Sequence, residues 1–347
     1  MVRWLFDDLW RGQSAPLRAP PPPPLQRVSS NFNLSRASLA DTTVPFVAGL
    51  IRTLTGDNIF DSYRFPSMPA SVLENSLRRL KKPPNPFVRD YQVLGCVSIG
   101  GFGQIHDGRR KADNRAVIVK ILPKARILNW GTYQGKRVPY EIEVLWRLRG
   151  LPGVINIYDH FEERDRFIFI MEKIPYSCTL FSFVMECPPL ANTELLRHIF
   201  REIIRINASL QNNGVWHRDC KPENILYCRN DRTLRFIDFG SAAPARFGDF
   251  YEFQGTLEIM TPEWILEKRY DGEQACVWTL GICLYFLLFR QFPFRSKSDI
   301  INGRLHLAYS SPDRQAYETM RQCLSRNAYR RPQLNTLLQL PWLQGPY

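Results

Sequence analysis

The sequence reads HRDCKPEN at residues 217–224 and DFG at residues 238–240. Among the oxygen-bearing side chains of these two stretches, Asp219, Asn224 and Asp238 are the candidates for the chemistry of the site. The spacing from Asp219 to Asn224 suits a short loop that enters a strand, and the apolar run at 233–237 predicts the strand that delivers Asp238. An isolated DFG is most often a chance match on a solvated loop. In this order and at this separation, the two stretches predict one shared site.

These stretches resemble the catalytic loop H-R-D-x-x-x-x-N and the D-F-G turn of protein kinases. The resemblance implies transfer of a phosphoryl group from ATP to a substrate hydroxyl. That chemistry needs one carboxylate to orient the hydroxyl and accept its proton, and further oxygen ligands to hold the Mg²⁺ that neutralises the phosphates. Asp219 is expected to be the base, and Asn224 and Asp238 are expected to hold Mg²⁺.

The order of predicted elements from residue 87 onward fits the same family. The expected fold class is α+β: a two-lobed protein-kinase fold with a small antiparallel β-sheet lobe, one regulatory helix, and a larger, mostly helical lobe. We expect the kinase domain at 87–344, with an N-lobe at 87–172, a hinge at 172–176 and a C-lobe at 177–344. The apolar run at 277–289 is expected to be a helix buried in the large lobe, because it is too short to span a bilayer.

A glycine-rich hairpin is predicted at the start of this domain, with strands at 91–97 and 104–108 and a turn at 98–103. Such a hairpin lets backbone N–H groups approach nucleotide phosphates without intervening side chains. On the kinase resemblance, Ile118 roofs the adenine, Met171 guards the back of its pocket, and Glu172 begins the hinge along which the adenine lies. The expected ATP contacts from the hairpin are Val97, Ser98, Ile99, Gly100, Gly101, Phe102, Gly103, Gln104 and Ile105.

Three charged side chains complete the expected chemistry. An apolar strand at 117–120 ends in Lys120, and Glu141 lies on a segment whose apolar residues recur at helical spacing. The resemblance implies that Lys120 holds the α- and β-phosphates and that Glu141 forms an ion pair with it. Lys221, together with Thr256, is the arrangement of serine/threonine kinases, so the expected acceptor is a Ser or Thr hydroxyl. Arg331 is the expected partner of Glu263, because an unpaired buried carboxylate would be costly.

A narrower resemblance rests on RVPYE at 137–141 and PEWI at 262–265, supported by NWG at 129–131. These stretches resemble the Pim group of serine/threonine kinases. Membership implies a soluble kinase, active without phosphorylation of its activation loop, that prefers basic residues upstream of the target. Several positions depart from the group: Ser98, Ile118, Thr179, Ser182 and Pro222. The first two bear on ATP affinity and the last three on the substrate preference, because Pim kinases carry acidic residues there.

Composition excludes several classes of protein. The eight cysteines are scattered without the spacing of a zinc site or disulfide framework, which favours a reducing compartment. The net charge of +13 is spread along the chain without a nucleic-acid recognition motif. We therefore expect ATP and protein substrates as partners, no specific nucleic acid and no membrane span, a monomeric kinase domain, and a cytoplasmic or nuclear location.

Residues 1–86 are rich in Pro, Ser and Arg, which predicts a largely disordered extension. The segment 1–10 could be a docking helix or a segment that folds back on the kinase. Two functions stay open for the chain. One is an active, Mg²⁺-dependent serine/threonine kinase; the other is a pseudokinase or scaffold that keeps the fold and binds partners. The complete set of charged groups favours the first.

Overall fold

The computed structural model describes residues 85–100, 103–186, 193–246, 248–306 and 313–345. The predictions for the extension at 1–84 and for Gly101 and Phe102 lie outside these residues. The compact unit begins at Asn85, close to the expected boundary at Phe87. It comprises a small lobe built on one sheet and a large, mostly helical lobe, as the expected fold class requires.

A five-stranded antiparallel sheet forms the small lobe, in the order β1-β2-β3-β7-β6. Its strands are β1 (Tyr91–Gly100), β2 (Gly103–Arg110), β3 (Ala116–Pro123), β6 (Ile157–Glu162) and β7 (Arg166–Glu172). Alternation along β3 buries Val117 and Val119 on one face of the sheet, as expected for a half-buried strand. A short helix, α1 (Pro86–Asp90), adds Phe87 to that same apolar cluster. The opposite face of the sheet carries Lys120.

One longer helix of the small lobe, α2 (Tyr140–Arg147), carries Glu141 in its first turn. The hairpin of β4 (Trp130–Tyr133) and β5 (Lys136–Pro139) leads directly into it. Pro139 precedes the helix with extended backbone, and Tyr133 stacks on Trp146 at 5.1 Å between ring centroids. The expected helix is confirmed, and the hairpin packed on it sets its direction.

The glycine-rich turn is shorter than predicted. Strand β1 continues through Ser98 to Gly100, where Gly100 faces Gly103 in the register, so the prediction of a turn over 98–103 was wrong at its start. Serine has no conformational reason to leave a strand, and Ser98 pairs with Ile105 in the ladder. Gly103 has a φ of 114°, a conformation that favours glycine, and an added Cβ would lie 2.3 Å from Ile121 O.

Residues 173–176 join the lobes, between the end of β7 and β8 (Ser177–Thr179). The helices of the large lobe are α3 (Leu180–Glu186), α4 (Thr193–Asn212), α5 (Pro262–Glu267), α6 (Gly272–Phe289), α7 (Lys297–Asn302), α8 (Arg314–Cys323) and α9 (Pro341–Gln344). Its short strands are β8, β9 (Val215–Trp216), β10 (Ile225–Cys228), β11 (Leu234–Phe236), β12 (Ala243–Pro244), β13 (Asp249–Phe250) and β14 (Tyr270–Asp271). Strand β10 lies between β11 and β8 and is antiparallel to β11, so the loop before β10 and the turn after β11 meet at the same end of this sheet.

Helix α6 is the centre of the large lobe. Asp271 caps it by accepting a hydrogen bond from Gln274 N at 2.9 Å, and residues 277–289 are all buried, as the apolar run predicted. The helix begins at Gly272, however, and its 18 residues are long and apolar enough to cross a membrane, so the length argument was wrong. Within the described residues it is the one helix that meets this test, and 78% of it is buried inside the fold. A helix that is apolar around its whole circumference is typical of the buried core of a protein.

Candidate active site

Lys120 on β3 lies between two carboxylates. Its Nζ donates to Glu141 Oε1 at 2.6 Å and to Asp238 Oδ1 at 2.8 Å. The side chains of Lys120 and Glu141 are each 4% exposed, whereas Asp238 is 28% exposed. The predicted Lys120–Glu141 ion pair is confirmed. Asp238 joins it from the other lobe, so a single cation connects the sheet, helix α2 and the turn after β11.

The protonation of this cluster follows from burial and charge together. Burial alone would lower the pKa of Lys120, but the charges of Asp238 and Glu141 outweigh it and raise that pKa. Burial would raise the pKa of Asp238, but the charge of Lys120 outweighs it and holds that pKa below its usual value. Lys120 is therefore a cation and Asp238 an anion at neutral pH. Such a cluster suits the binding of phosphate and a divalent cation.

Both carboxylate oxygens of Asp219, near the start of the catalytic loop, accept hydrogen bonds. Oδ1 accepts from Thr256 N at 2.9 Å and from Thr256 Oγ1 at 2.6 Å, and Oδ2 accepts from Asn224 Nδ2 at 2.7 Å. Lys221 Nζ donates to Thr256 Oγ1 and lies 3.3 Å from Asp219 Oδ2. The structure thus brings together Asp219, Lys221, Asn224 and Thr256. The carboxylate is held in one orientation by neighbours on both sides.

His217 connects this loop to the turn that carries Asp238. Its Nε2 lies 3.1 Å from Ile237 O, and its Nδ1 accepts from Asp219 N at 3.3 Å. Asp238 itself has φ 60° and ψ 76°, a left-handed conformation that is unusual for a residue with a side chain. Its Oδ1 also accepts from Gly240 N at 3.4 Å. Tertiary contacts therefore impose the backbone that directs Asp238 towards Lys120.

The side chains of Asp238 and Asn224 fit the expected Mg²⁺. Asn224 Nδ2 donates to Asp219 O and Oδ2, which leaves its carbonyl oxygen as the atom suited to a cation. Carboxylate and amide oxygens are the ligands that Mg²⁺ takes in proteins, commonly one or two of them together with phosphates and water. In the described part of the chain, no three or more His, Cys, Asp or Glu side chains form a metal-binding group. Two protein ligands completed by ATP phosphates are consistent with that finding.

The expected adenine and phosphate contacts lie along the small-lobe sheet. Ile118 on β3 faces Met171 on β7 in the register, so these two side chains are neighbours on one face of the sheet. Val97 and Ile99 are 58% and 66% exposed, unusual for apolar strand residues, and fit a surface that a ligand covers. Glu172 Oε1 accepts from Asn156 N at 2.8 Å, so its side chain supports the hinge rather than pointing to the ligand. Ser98, Gly100, Gly103, Gln104 and Ile105 all lie in the β1–β2 hairpin.

Arg218 and Glu258 lie near the site, and no role was predicted for either from the sequence. Arg218 has a side chain that is 4% exposed and donates to Ser241 O at 2.8 Å and to Gln254 Oε1 at 3.0 Å. Glu223 and Glu258 each have one buried carboxylate oxygen without a hydrogen-bond partner. Burial raises the pKa of Glu223, and the charges of Glu258 and Asp219 add to the effect. Residue type alone carries no signal for these contacts, except that Arg218 lies within HRD.

The end of the activation segment is anchored as predicted. Arg331 donates to both oxygens of Glu263 at 2.8 Å, and its side chain is fully buried. Cys276, at a position where many kinases have an Asp, donates instead from Sγ to Asn207 Oδ1 at 3.4 Å. Asn207 Nδ2 lies 3.7 Å from Cys220 Sγ, directly after Asp219. Neutral contacts therefore support the catalytic loop at that point.

The comparisons with known proteins agree with this geometry. The model of the protein kinase domain matches residues 91–343. The chain is 32% identical over 263 residues to the serine/threonine-protein kinase prk-2 of Caenorhabditis elegans, covering 74% of this chain and 59% of that protein. It is 31% identical over 277 residues to the serine/threonine-protein kinase pim-2 of Danio rerio, covering 76% and 88%.

A third relative comes from another branch. The PAS domain-containing serine/threonine-protein kinase of Mus musculus is 30% identical over 260 residues, which covers 74% of this chain and 18% of that protein. The three relatives share the kinase domain and differ in overall length. Protein kinases use ATP with Mg²⁺, the two ligands predicted for this site. The chain belongs to the protein kinase domain family.

Proposed function

We propose that this chain is an active, Mg²⁺-dependent serine/threonine protein kinase of the Pim-like type. The observation that carries the proposal is the buried cluster of Lys120, Glu141 and Asp238, in which one cation meets two carboxylates from different lobes. Burying the charges of Lys120 and Glu141 is costly, and fold stability alone would be served as well by apolar side chains of the same size. A role in holding phosphate and Mg²⁺ explains why the charges are there.

The reaction follows from the two halves of the site. The substrate hydroxyl donates its proton to Asp219 as the oxygen attacks the γ-phosphorus of ATP, and the bond from that phosphorus to the β,γ-bridging oxygen breaks. Lys120, aligned by Glu141, holds phosphate oxygens. Lys221 supplies positive charge next to Asp219 while negative charge moves from the attacking hydroxyl oxygen to the β,γ-bridging oxygen. Asp238 and Asn224 would hold Mg²⁺, which neutralises the phosphates when it is bound.

The acceptor is proposed to be Ser or Thr. Lys221 and Thr256 both contact Asp219, so the space in front of the carboxylate is bounded by a lysine and by the activation segment. A short aliphatic hydroxyl reaches the base between them. Peptides that differ only in Ser, Thr or Tyr as acceptor test this directly; phosphorylation of the Tyr peptide at a rate equal to the Ser peptide would contradict it.

A basic residue in the protein substrate is part of the proposal. Thr179 and Ser182, which stand where the Pim group has acids, hydrogen-bond to each other at 3.0 Å and offer no charge. The unpartnered oxygens of Glu223 and Glu258 beside Asp219 fit an arginine or lysine side chain. We expect an arginine-containing peptide to be preferred and Glu223→Gln to reduce that preference. Equal rates for peptides with and without arginine would exclude this part.

The deciding experiment measures ATP-dependent phosphorylation together with ATP binding. Lys120→Met and Asp238→Asn should each abolish phosphate transfer, and the Mg²⁺-ATP thermal shift should be lost with Asp238→Asn. Lys124→Met is the matched control for the first, because Lys124 pairs with Glu162 at the surface. Asp113→Asn is the control for the second, since Asp113 pairs with Arg110 on the outside of the small lobe.

A pseudokinase or scaffold is the alternative that this experiment separates. It predicts no Mg²⁺-dependent transfer above the Lys120→Met level and no thermal shift with ATP.

The seven described cysteines are all free thiols, which supports the proposed cytoplasmic or nuclear location. We propose a monomeric kinase domain as well. Light scattering of the purified chain tests that state.

A further inference from the structure

The buried guanidinium of Arg218 is surrounded mainly by neutral acceptors. Besides Ser241 O and Gln254 Oε1, it lies 3.4 Å from Tyr270 OH, and Glu252, which is 62% exposed, stays 3.8 Å away. The only carboxylate that pairs with Arg218 among the described residues is exposed and 3.8 Å away, so this buried arginine depends on its neutral acceptors, because an unpaired donor in the interior is costly. Gln254 is therefore a principal contact of the residue that precedes Asp219.

The same oxygen of Gln254 has a second partner in the small lobe. Asn129 Nδ2 donates to Gln254 Oε1 at 2.8 Å. Arg218 can only donate, so it sets the orientation of the Gln254 amide, and Asn129 must then be a donor as well. Asn129 also accepts a hydrogen bond from Tyr140 N at 2.9 Å through its backbone oxygen. Tyr140 is the first residue of α2 and the neighbour of Glu141.

Both ends of this connection are fixed by other contacts. On the activation segment, Phe253 stacks on Trp264, and Gly255, with φ 127°, brings the chain against Arg218 O, where an added Cβ would lie at 2.7 Å. On the hairpin, Thr132 N donates to Glu143 Oε2 of α2 at 2.7 Å. Because both of its neighbours are held by other contacts, the Gln254 amide links the position of the activation segment to that of the hairpin before α2.

We propose that Gln254 is a positioning residue that couples helix α2 to the catalytic loop. The path runs from Asp219 through Arg218, Gln254 and Asn129 to the start of the helix that carries Glu141. This inference rests on the proposed kinase function for its kinetic consequence, but the coupling itself is a property of the fold. Loss of the amide should loosen α2 and misplace Glu141 relative to Asp219, so kcat falls about tenfold while the KM for ATP changes less.

The test is a double-mutant cycle with Gln254→Ala and Asn129→Ala. Hydrogen exchange of the α2 backbone amides is the first readout and kcat with KM for ATP is the second. Gln322→Ala, an exposed glutamine on α8, is the matched control and should change neither. Each single variant should speed exchange in α2, and the double variant should be no worse than the more severe single one, because both remove the same connection.

Gln254→Glu provides the rescue, since its carboxylate can accept from both Arg218 and Asn129. It should retain α2 protection and kcat within about twofold of the unsubstituted chain. Three results would each overturn the inference. They are unchanged hydrogen exchange of α2 in the Gln254→Ala variant, additive effects in the double variant, and a Gln254→Glu variant that is as impaired as the alanine variant. A chain without phosphate transfer would sink the proposed function instead, and the exchange readout would still decide the coupling.

Discussion

Lys120 shows how one residue determines the character of its surroundings. A lone buried ammonium would lose its proton, yet two carboxylates keep this one charged. For His217, in contrast, burial lowers the pKa and so favours the neutral ring. Arg331 is a third case, in which a fully buried guanidinium is balanced by a bidentate carboxylate. In each case, whether the buried side chain is charged depends on its neighbours as well as on its own ordinary pKa.

Breaking the Arg331 pair is expected to be costly. Glu263→Gln leaves the buried guanidinium with the neutral acceptors Ser325 O and Gln274 O, so the free energy of unfolding should fall by about 3 kcal/mol. Urea denaturation measures it. Glu318→Gln, which breaks an exposed pair with Arg314, is the matched control and should cause almost no change. Equal effects of the two substitutions would refute the argument.

His217 should make the fold sensitive to acid. Burial lowers its pKa below the usual 6.5, whereas the histidine of the unfolded chain binds a proton near that value. The unfolded state then binds more protons, so stability is full above pH 6.5 and falls as the pH drops below it. NMR of the imidazole, assigned with a His217→Asn variant, checks this. A ring that becomes charged at or above pH 6.5 would contradict the prediction.

At the scale of elements, helix α6 explains how a kinase-like large lobe is held together. Its side chains from Val277 to Phe289 are buried on every side, so its periodicity carries no amphipathic signal. Gly281 lies where α8 crosses, and a Cβ there would meet Cys323 Cβ and Leu324 Cδ2 at 2.8 Å. The glycine permits the close approach of the two helices.

Gly281→Ala should therefore overpack this crossing. We expect the free energy of unfolding to fall by about 2 kcal/mol, since the neighbours can move only partly. Gly95→Ala is the matched control: an added Cβ at Gly95 in β1 meets no atom within 4 Å. Thermal or urea unfolding distinguishes them. A Gly281→Ala variant as stable as Gly95→Ala would show that α8 yields without cost.

At the scale of the whole molecule, the small-lobe sheet needs cover on both faces. Helix α2 covers one, and Phe87 of α1 packs with Tyr91 and Phe161 on the other, at 6.3 and 5.6 Å between ring centroids. Phe87 is 7% exposed, whereas its neighbour Val88 is 53% exposed. The residues that complete the domain thus begin at Asn85, before the first strand of the sheet.

A chain that starts at residue 91 should unfold at a temperature about 5 °C below that of a chain starting at residue 85, because it loses the buried Phe87. Differential scanning fluorimetry measures the shift. In the full chain, Phe87→Ala should reproduce most of it, and Val88→Ala should not. If both truncated chains melt together, α1 contributes nothing to the domain.

The family, the two-lobed α+β fold and the main charged groups could be predicted from the amino-acid sequence. The reason is local: motif residues at fixed spacing, apolar strands, and helical periodicity around Glu141 can all be read along the chain. It also predicted two ion pairs: Lys120 with Glu141 from the resemblance to protein kinases, and Arg331 with Glu263 because a buried carboxylate requires an opposite charge.

Other features of the fold and the site could not be predicted, because they depend on contacts between distant parts of the chain. The early start of helix α6, the continuation of β1 to Gly100 and the left-handed backbone of Asp238 depend on packing and ladder contacts that no local pattern encodes. The contact between Asn129 and Gln254 joins two amides far apart in sequence, and neither residue type signals its partner. Neutral hydrogen bonds are short-ranged and directional, so they exist only once the fold has brought donor and acceptor together.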